Sequence, residues 1–134
     1  HRLASLMLNS QPEHLSHVDI FTFVPSSRWS LIKRGFNPAE LIARELGHAL
    51  KKPVVAALAT RSHSRNQKEL NRHQRINNVS EHFHPTRKKL KGEHVMLIDD
   101  VMTTGSTAHS MALLLKQSGA SKVGIWCLAR TPKH

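Results

Sequence analysis

Two adjacent aspartates, Asp99 and Asp100, end an apolar run and precede Val-Met and then Thr-Thr-Gly-Ser-Thr at 103–107. Neighbouring carboxylates repel each other, and a structural strand end requires neither of them. Such a pair is suited to accept hydrogen bonds from the vicinal hydroxyls of a sugar, to hold Mg²⁺, or to balance positive charge developing on a ribose. Backbone N–H groups and hydroxyls at the start of a helix are suited to bind phosphate. The stretch therefore predicts a site for a phosphorylated sugar.

Four predicted strands surround this stretch. The run 94–99 is continuously apolar, as in a parallel strand covered on both faces, and further strands are predicted at 18–25, 54–59 and 122–129. They alternate with helical patterns, which predicts an α/β fold with a mostly parallel sheet flanked by helices. Ligands of such sheets bind beyond the carboxyl ends of the strands, where Asp99 and Asp100 fall.

Two helices are predicted from their boundary signals. The first begins at Pro38 with Asn37 as N-cap and ends before Pro53. The second is capped by Ser106 or Thr107, and Gly119 is its C′ residue. Helical spacing assigns the inward-facing residues as Leu41, Ile42, Leu46, Ala49 and Leu50 in the first helix, and Ala108, Met111, Ala112 and Leu115 in the second.

The composition is that of a basic, single-domain chain. It has 134 residues, a formal net charge of +11 and a pI near 10.7. This balance favours a polyanionic partner: a phosphate-rich small molecule, nucleic acid or an anionic membrane surface. The single cysteine, Cys127, lies in an apolar run and is predicted to be buried. No stretch is long enough to span a bilayer and no signal peptide opens the chain, so we expect no membrane insertion and a cytoplasmic location.

Much of the charge lies in one segment. Residues 61–91 contain nine Lys or Arg against Glu69 and Glu81, a balance of +7. Apolar residues are sparse from Thr60 to Lys91, which predicts either a long loop or an exposed helix. The segment could equally follow a nucleic-acid backbone, although the chain has only two Trp, four Phe and no Tyr to stack on bases.

The stretch "VMLIDDVMTTGST" at 95–107 contains neither a P-loop nor a Rossmann glycine pattern. It resembles the phosphoribosyl-pyrophosphate (PRPP) motif of type I phosphoribosyltransferases, an apolar strand, two acids and Thr-Thr-Gly-x-Thr. Residues 24–47 and 61–83 resemble blocks of the ComF/GntX branch of that family, and the ending at 119–131 fits it as well. The resemblance covers about 18–131.

The chain departs from the family in two respects. Pro38 stands where Gln usually follows Arg-Gly-Phe-Asn, and Pro suits that first helical position. Full-length members tend to begin with a cysteine-rich zinc-binding module, and none is present here. We therefore expect 1–134 to be a phosphoribosyltransferase-like domain from a longer protein.

The resemblance implies a role for each part of the site. Asp99 and Asp100 would contact the ribose hydroxyls and hold Mg²⁺ mainly through the substrate. The other assignments are the 5′-phosphate site at Thr103, Thr104, Gly105, Ser106 and Thr107, the pyrophosphate site at Pro25, Ser26, Ser27, Arg28 and Arg34, and a flexible hood at Arg61, Arg65, Gln67, Arg75 and Asn78.

Two functions follow from the resemblance. The first is an enzyme that displaces pyrophosphate from PRPP by an acceptor that the sequence does not identify. The second is a non-catalytic module in competence and DNA uptake, which senses PRPP or binds single-stranded DNA. Many phosphoribosyltransferases are dimers, which leaves a homodimer open, although no apolar stripe requires one.

Overall fold

A computed structural model describes residues 2–13, 15–26, 33, 35–60, 83–86, 89–102 and 106–130. The helices are α1 (Arg2–Leu8), α2 (Pro38–Leu50) and α3 (Ser106–Gln117), and a 3₁₀ turn covers Leu15–His17. The strands are β1 (Ile20–Phe23), β2 (Leu58–Thr60), β3 (Phe83–Pro85), β4 (His94–Met102) and β5 (Lys122–Arg130). This order of helices and strands confirms the predicted α/β class. None of the described helices is long and apolar enough to cross a membrane.

The central sheet is parallel, with the strand order β1-β4-β5. Val54 adds a parallel bridge to Phe21 on the outer side of β1. Strand β4 is the central strand, with β1 on one side and β5 on the other.

Each face of the sheet has its own hydrophobic core, because side chains alternate along β4. Met96 and Ile98 pack toward α1 and α2, with Trp126 of β5 in the same cluster. Val95 and Leu97 pack toward α3 on the other face. The site strand is thus held between two cores.

Helix α2 begins where its sequence signals predicted. The Asn37 side chain accepts a hydrogen bond from the Ala39 N–H at 3.1 Å, and Pro38 is the first helical residue. Two inward-facing assignments were wrong, because Leu41 is 43% exposed and Ala49 is also exposed. Ala39 and Ala43 are buried in their place, since a close helix–sheet contact favours small residues.

The predicted strand at 54–59 was only partly right. Only Val54 bridges to the parallel sheet, and the chain then leaves it for β2. Strand β2 pairs antiparallel with β3, which the sequence analysis did not predict. The Thr86 hydroxyl and N–H donate to the carbonyls of Ala56 and Ala57, which ties this ribbon to the departing segment.

Gly119 ends α3 in the predicted C′ position. Its φ is +121°, and the Ala120 N–H donates to the Leu115 carbonyl, as in a Schellman turn. A Cβ at Gly119 would lie 2.2 Å from the Leu90 carbonyl oxygen, so side chains are excluded by a clash as well as by backbone conformation. This close approach docks the segment before β4 against the end of α3.

We expect Gly119→Ala to lower the free energy of unfolding by about 2 kcal/mol or more, since backbone strain and the Leu90 contact act together. Gly92→Ala is the matched control. Gly92 also has a positive φ, +87°, but a Cβ there would meet nothing within 4 Å, so a loss of about 1 kcal/mol is expected. Urea unfolding measures both values, and equal losses would contradict the close approach.

Candidate functional site

The candidate site lies at the carboxyl edge of the sheet, where β1 and β4 end at different levels. The last paired residues of β1 and β4 are Phe23 and Ile98. Beyond them β4 continues to Met102, still paired with β5. We call this place, where Asp99 to Met102 project beyond the end of β1, the stepped edge.

Asp99 and Asp100 are the first residues of the stepped edge, and both are half-buried. The sequence analysis ended this strand at Asp99, which was too early, because pairing with β5 continues beyond the acids. Alternation along β4 directs Asp99 to the α3 face and Asp100 to the α2 face. A ligand that contacts both carboxylates must therefore lie across the edge of the sheet.

The backbone hydrogen bonds change at the step. The Val24 N–H donates to the Ile98 carbonyl at 3.0 Å and is the last bond of the β1–β4 ladder. Two residues further along β4, the Asp100 N–H donates to the Asp99 side-chain Oδ1 at 2.9 Å. The Asp99 carboxylate thus accepts from the Asp100 N–H, which would donate to the residues after β1 if the ladder continued.

The loop predicted to bind pyrophosphate starts beside the acids. Pro25 and Ser26 follow Val24 after the end of β1 and are half-buried. Because β1 and β4 are parallel neighbours, these residues lie at the same edge as Asp99 and Asp100. Asn37, at the other end of the loop, donates from Nδ2 to the Val24 carbonyl at 3.1 Å, so the loop starts and ends at one place.

In the chain, helix α3 starts shortly after the stepped edge ends at Met102. It begins at Ser106, so the capping role predicted for Ser106 or Thr107 falls one or two residues too late. Other predicted residues lie outside the described part of the chain: Ser27, Arg28, Arg34, Arg61, Arg65, Gln67, Arg75, Asn78, Thr103, Thr104 and Gly105.

The donor set at the stepped edge suits a magnesium ion that is held largely by a substrate. Asp99 and Asp100 offer carboxylate oxygens, which Mg²⁺ prefers, and Mg²⁺ in phosphate sites commonly takes one or two carboxylates plus substrate oxygens. Among the described residues no group of three His, Cys, Asp or Glu is placed to hold a metal ion by itself. A protein-only metal cage is therefore not formed by this part of the chain.

Cys127 is a neighbour of the site that the sequence analysis did not recognise. It was predicted to be buried, but it is half-buried. It pairs with Asp99 across β4 and β5, so the two side chains share one face of the sheet. Only the strand register reveals this, because the two residues are far apart in sequence.

Comparison with known proteins gives a consistent picture. The phosphoribosyl transferase domain model matches residues 30–134. The DNA utilization protein YhgH of Salmonella typhi is 36% identical over 100 residues, which are 74% of this chain and 44% of that protein. Competence protein F of Haemophilus influenzae is 30% identical over 122 residues, 89% of this chain and 51% of that protein. The chain thus spans about half the length of these curated relatives.

Solved structures support the same fold. The purine phosphoribosyltransferase from Pyrococcus horikoshii superposes with a TM-score of 0.58 at 19% identity, over 98% of this chain and 72% of that one. The parallel sheet with helices on both faces is therefore that of type I phosphoribosyltransferases, as the resemblance implied.

We expect the Asp100 side chain to be unnecessary for folding. Asp100→Ala should leave the free energy of unfolding unchanged or raise it, because it removes repulsion between neighbouring carboxylates. Asp19 at the opposite edge is the matched control: its Oδ2 accepts from the His94 N–H at 2.8 Å, so Asp19→Ala should cost about 1 kcal/mol. Thermal and urea unfolding test both variants, and a larger loss at Asp100 would assign it a structural role.

Proposed function

Because the chain belongs to the phosphoribosyl transferase domain family, in the ComF group of its competence and DNA-utilization relatives, we propose that it binds PRPP with Mg²⁺ at the stepped edge. The observation that carries this proposal is the projection of two carboxylates beyond the end of β1. They lie at the same edge of the sheet as the residues that follow β1, and they precede the N-terminus of a helix in the chain. A sugar with phosphate groups at both ends fits that order of acceptors and donors.

Each part of the substrate has a proposed partner. Asp99 and Asp100 accept hydrogen bonds from the ribose 2′- and 3′-hydroxyls and reach Mg²⁺ mainly through the substrate. The turn 103–107 binds the 5′-phosphate through its N–H groups and hydroxyls, aided by the dipole of α3. The loop 25–28 and Arg34 bind the pyrophosphate. The segment 61–78 covers the bound substrate as a hood.

The proposed reaction is transfer of the phosphoribosyl group. The bond from C1 of the ribose to the pyrophosphate oxygen breaks, that oxygen keeps the electron pair, and a nucleophile forms the new bond to C1. The carboxylates lie near the cationic sugar of the transition state, and the cations near the leaving pyrophosphate, so catalysis is positioning and electrostatics. The acceptor is left open, and with no acceptor the same site would act as a PRPP sensor.

Calorimetry with PRPP and Mg²⁺ tests the site. We expect Asp99→Asn/Asp100→Asn to weaken PRPP binding at least about tenfold, because charge-assisted hydrogen bonds to the ribose hydroxyls are lost. Asp19→Asn, at the opposite edge of the sheet, should bind as the unaltered chain does. Equal affinity in the double variant and the unaltered chain would remove the role of the acid pair. Pyrophosphate release with a panel of bases then separates a transferase from a sensor.

Direct contact with single-stranded DNA is a second proposed function. It is favoured by the balance of +7 over residues 61–91 and by relatives named for competence and DNA utilization. Lysine and arginine along a backbone bind phosphates without regard to sequence. Incoming single strands in the cytoplasm would be the partner, and PRPP binding at the stepped edge is compatible with it.

The salt dependence of DNA binding tests this second function. In a titration with single-stranded DNA, Arg61→Gln/Arg65→Gln/Arg75→Gln should lower the slope of log K against log salt by about 2, or about 0.7 for each lost contact. The control Lys51→Gln/Lys116→Gln/Lys122→Gln changes the net charge equally at exposed positions elsewhere. An equal change in both variants would indicate a net-charge effect, and a flat salt response would contradict phosphate contacts.

A further inference from the structure

We propose that Asn37 is a positioning residue that ends the pairing of β1 with β4 and so keeps the stepped edge open for the pyrophosphate of the substrate. The inference rests on the proposed function for its ligand. Its structural part, the ending of a β ladder at Val24, rests on the hydrogen bonds of Asn37, Val24 and Asp100 and not on any ligand.

The hydrogen bonds around Val24 show what the amide does. In a parallel pair the bonds are evenly spaced, and each residue that faces the neighbouring strand both donates to it and accepts from it. Since the Val24 N–H donates to Ile98, the next bond of the ladder would run from the Asp100 N–H to the Val24 carbonyl. Instead, the Val24 carbonyl accepts from Asn37 Nδ2 at 3.1 Å, and the Asp100 N–H donates to the Asp99 side chain. Both partners of the next bond are engaged elsewhere.

Asn37 is held firmly enough to do this. Asn37 is only 7% exposed. Its Oδ1 accepts from the Ala39 N–H at 3.1 Å, and its Nδ2 donates to the Val24 carbonyl. The opposite amide orientation would set NH₂ against an N–H and oxygen against a carbonyl, so the contacts define the orientation. Asn37 thus caps α2 through its Oδ1 and, in this proposal, ends the pairing of β1 with β4 through its Nδ2.

The consequence for the site is geometric. With Asn37 in place, the chain leaves β1 at Val24 and enters α2 at Asn37, and one hydrogen bond joins these two residues. Without the amide, the Val24 carbonyl is available to the Asp100 N–H. One more ladder bond would draw Pro25 and Ser26 against β4 and close the space beside Asp100. That space is where the proposed pyrophosphate contacts begin, whereas the turn 103–107 lies further along the chain.

Three variants separate this role from simple stability. Asn37→Ser keeps a favourable N-cap but is too short to reach the Val24 carbonyl. Asn37→Ala removes both contacts. Ile42→Val destabilises the same helix through its buried face, where Ile42 is 1% exposed, without touching Val24. Calorimetry with PRPP and, separately, with ribose 5-phosphate compares ligands with and without the pyrophosphate.

We expect both Asn37 variants to weaken PRPP binding about tenfold, which corresponds to the loss of one hydrogen bond to the pyrophosphate. Ribose 5-phosphate binding should stay within about twofold, because this ligand has no pyrophosphate. Ile42→Val should change neither affinity, even where it lowers the melting temperature as much as Asn37→Ser does. Parallel losses for both ligands, or a PRPP loss in all three variants that follows stability, would overturn the positioning role.

Amide hydrogen exchange tests the strand-ending role without any ligand. In Asn37→Ser the Asp100 amide should become more protected, because it gains the Val24 carbonyl as acceptor, while the Val24 amide stays as it is. Unchanged or lower protection at Asp100 would overturn the inference. This measurement also separates the two proposals, since a chain that binds neither ligand would refute the proposed function while the exchange data still decide the role of Asn37.

Discussion

Val24, the residue that follows β1, supplies the constraint on which the candidate site depends, through its N–H and its carbonyl. The Val24 N–H joins β1 to β4 at Ile98, and the Val24 carbonyl joins β1 to α2 through Asn37. These two hydrogen bonds fix where β1 ends and where α2 begins. They therefore also fix both ends of the segment that connects β1 to α2. Pro25 and Ser26 are thereby attached to a framework of sheet and helix, which is the arrangement that binding sites require.

The acids lie on the central strand of the parallel sheet. Val95, Leu97 and Ile98 have no exposed surface, so β4 cannot shift without disturbing both cores. The strand continues past the core to present Asp99 and Asp100, half-buried, at its projecting end. The cores on the two faces of β4 fix the positions from which these carboxylates project. Strand β4 thus supplies both the core residues that fix its position and the carboxylates at the stepped edge.

Local signals predicted those elements whose ends or faces are encoded within a few residues. Asn37 and Pro38 predicted the start of α2, and Gly119 predicted the end of α3. The run 94–99 predicted a strand covered on both faces. The errors came where a short apolar run has more than one use. The run at 54–59 could not indicate that the chain leaves one sheet for another, and the three residues of β3 carry too little periodicity to be recognised.

The sequence by itself determined the chemistry of the site: the paired carboxylates, the hydroxyl-rich turn, the excess of basic residues and the family to which these motifs point. Only the tertiary structure decided that β4 projects beyond β1, that the acids leave it on opposite faces, and that Cys127 stands beside Asp99. The physical reason is that side-chain chemistry and helix capping depend on neighbours within a few residues. Strand register and the choice of partner for each main-chain group depend on segments distant in the chain, and their energies are set by both partners together.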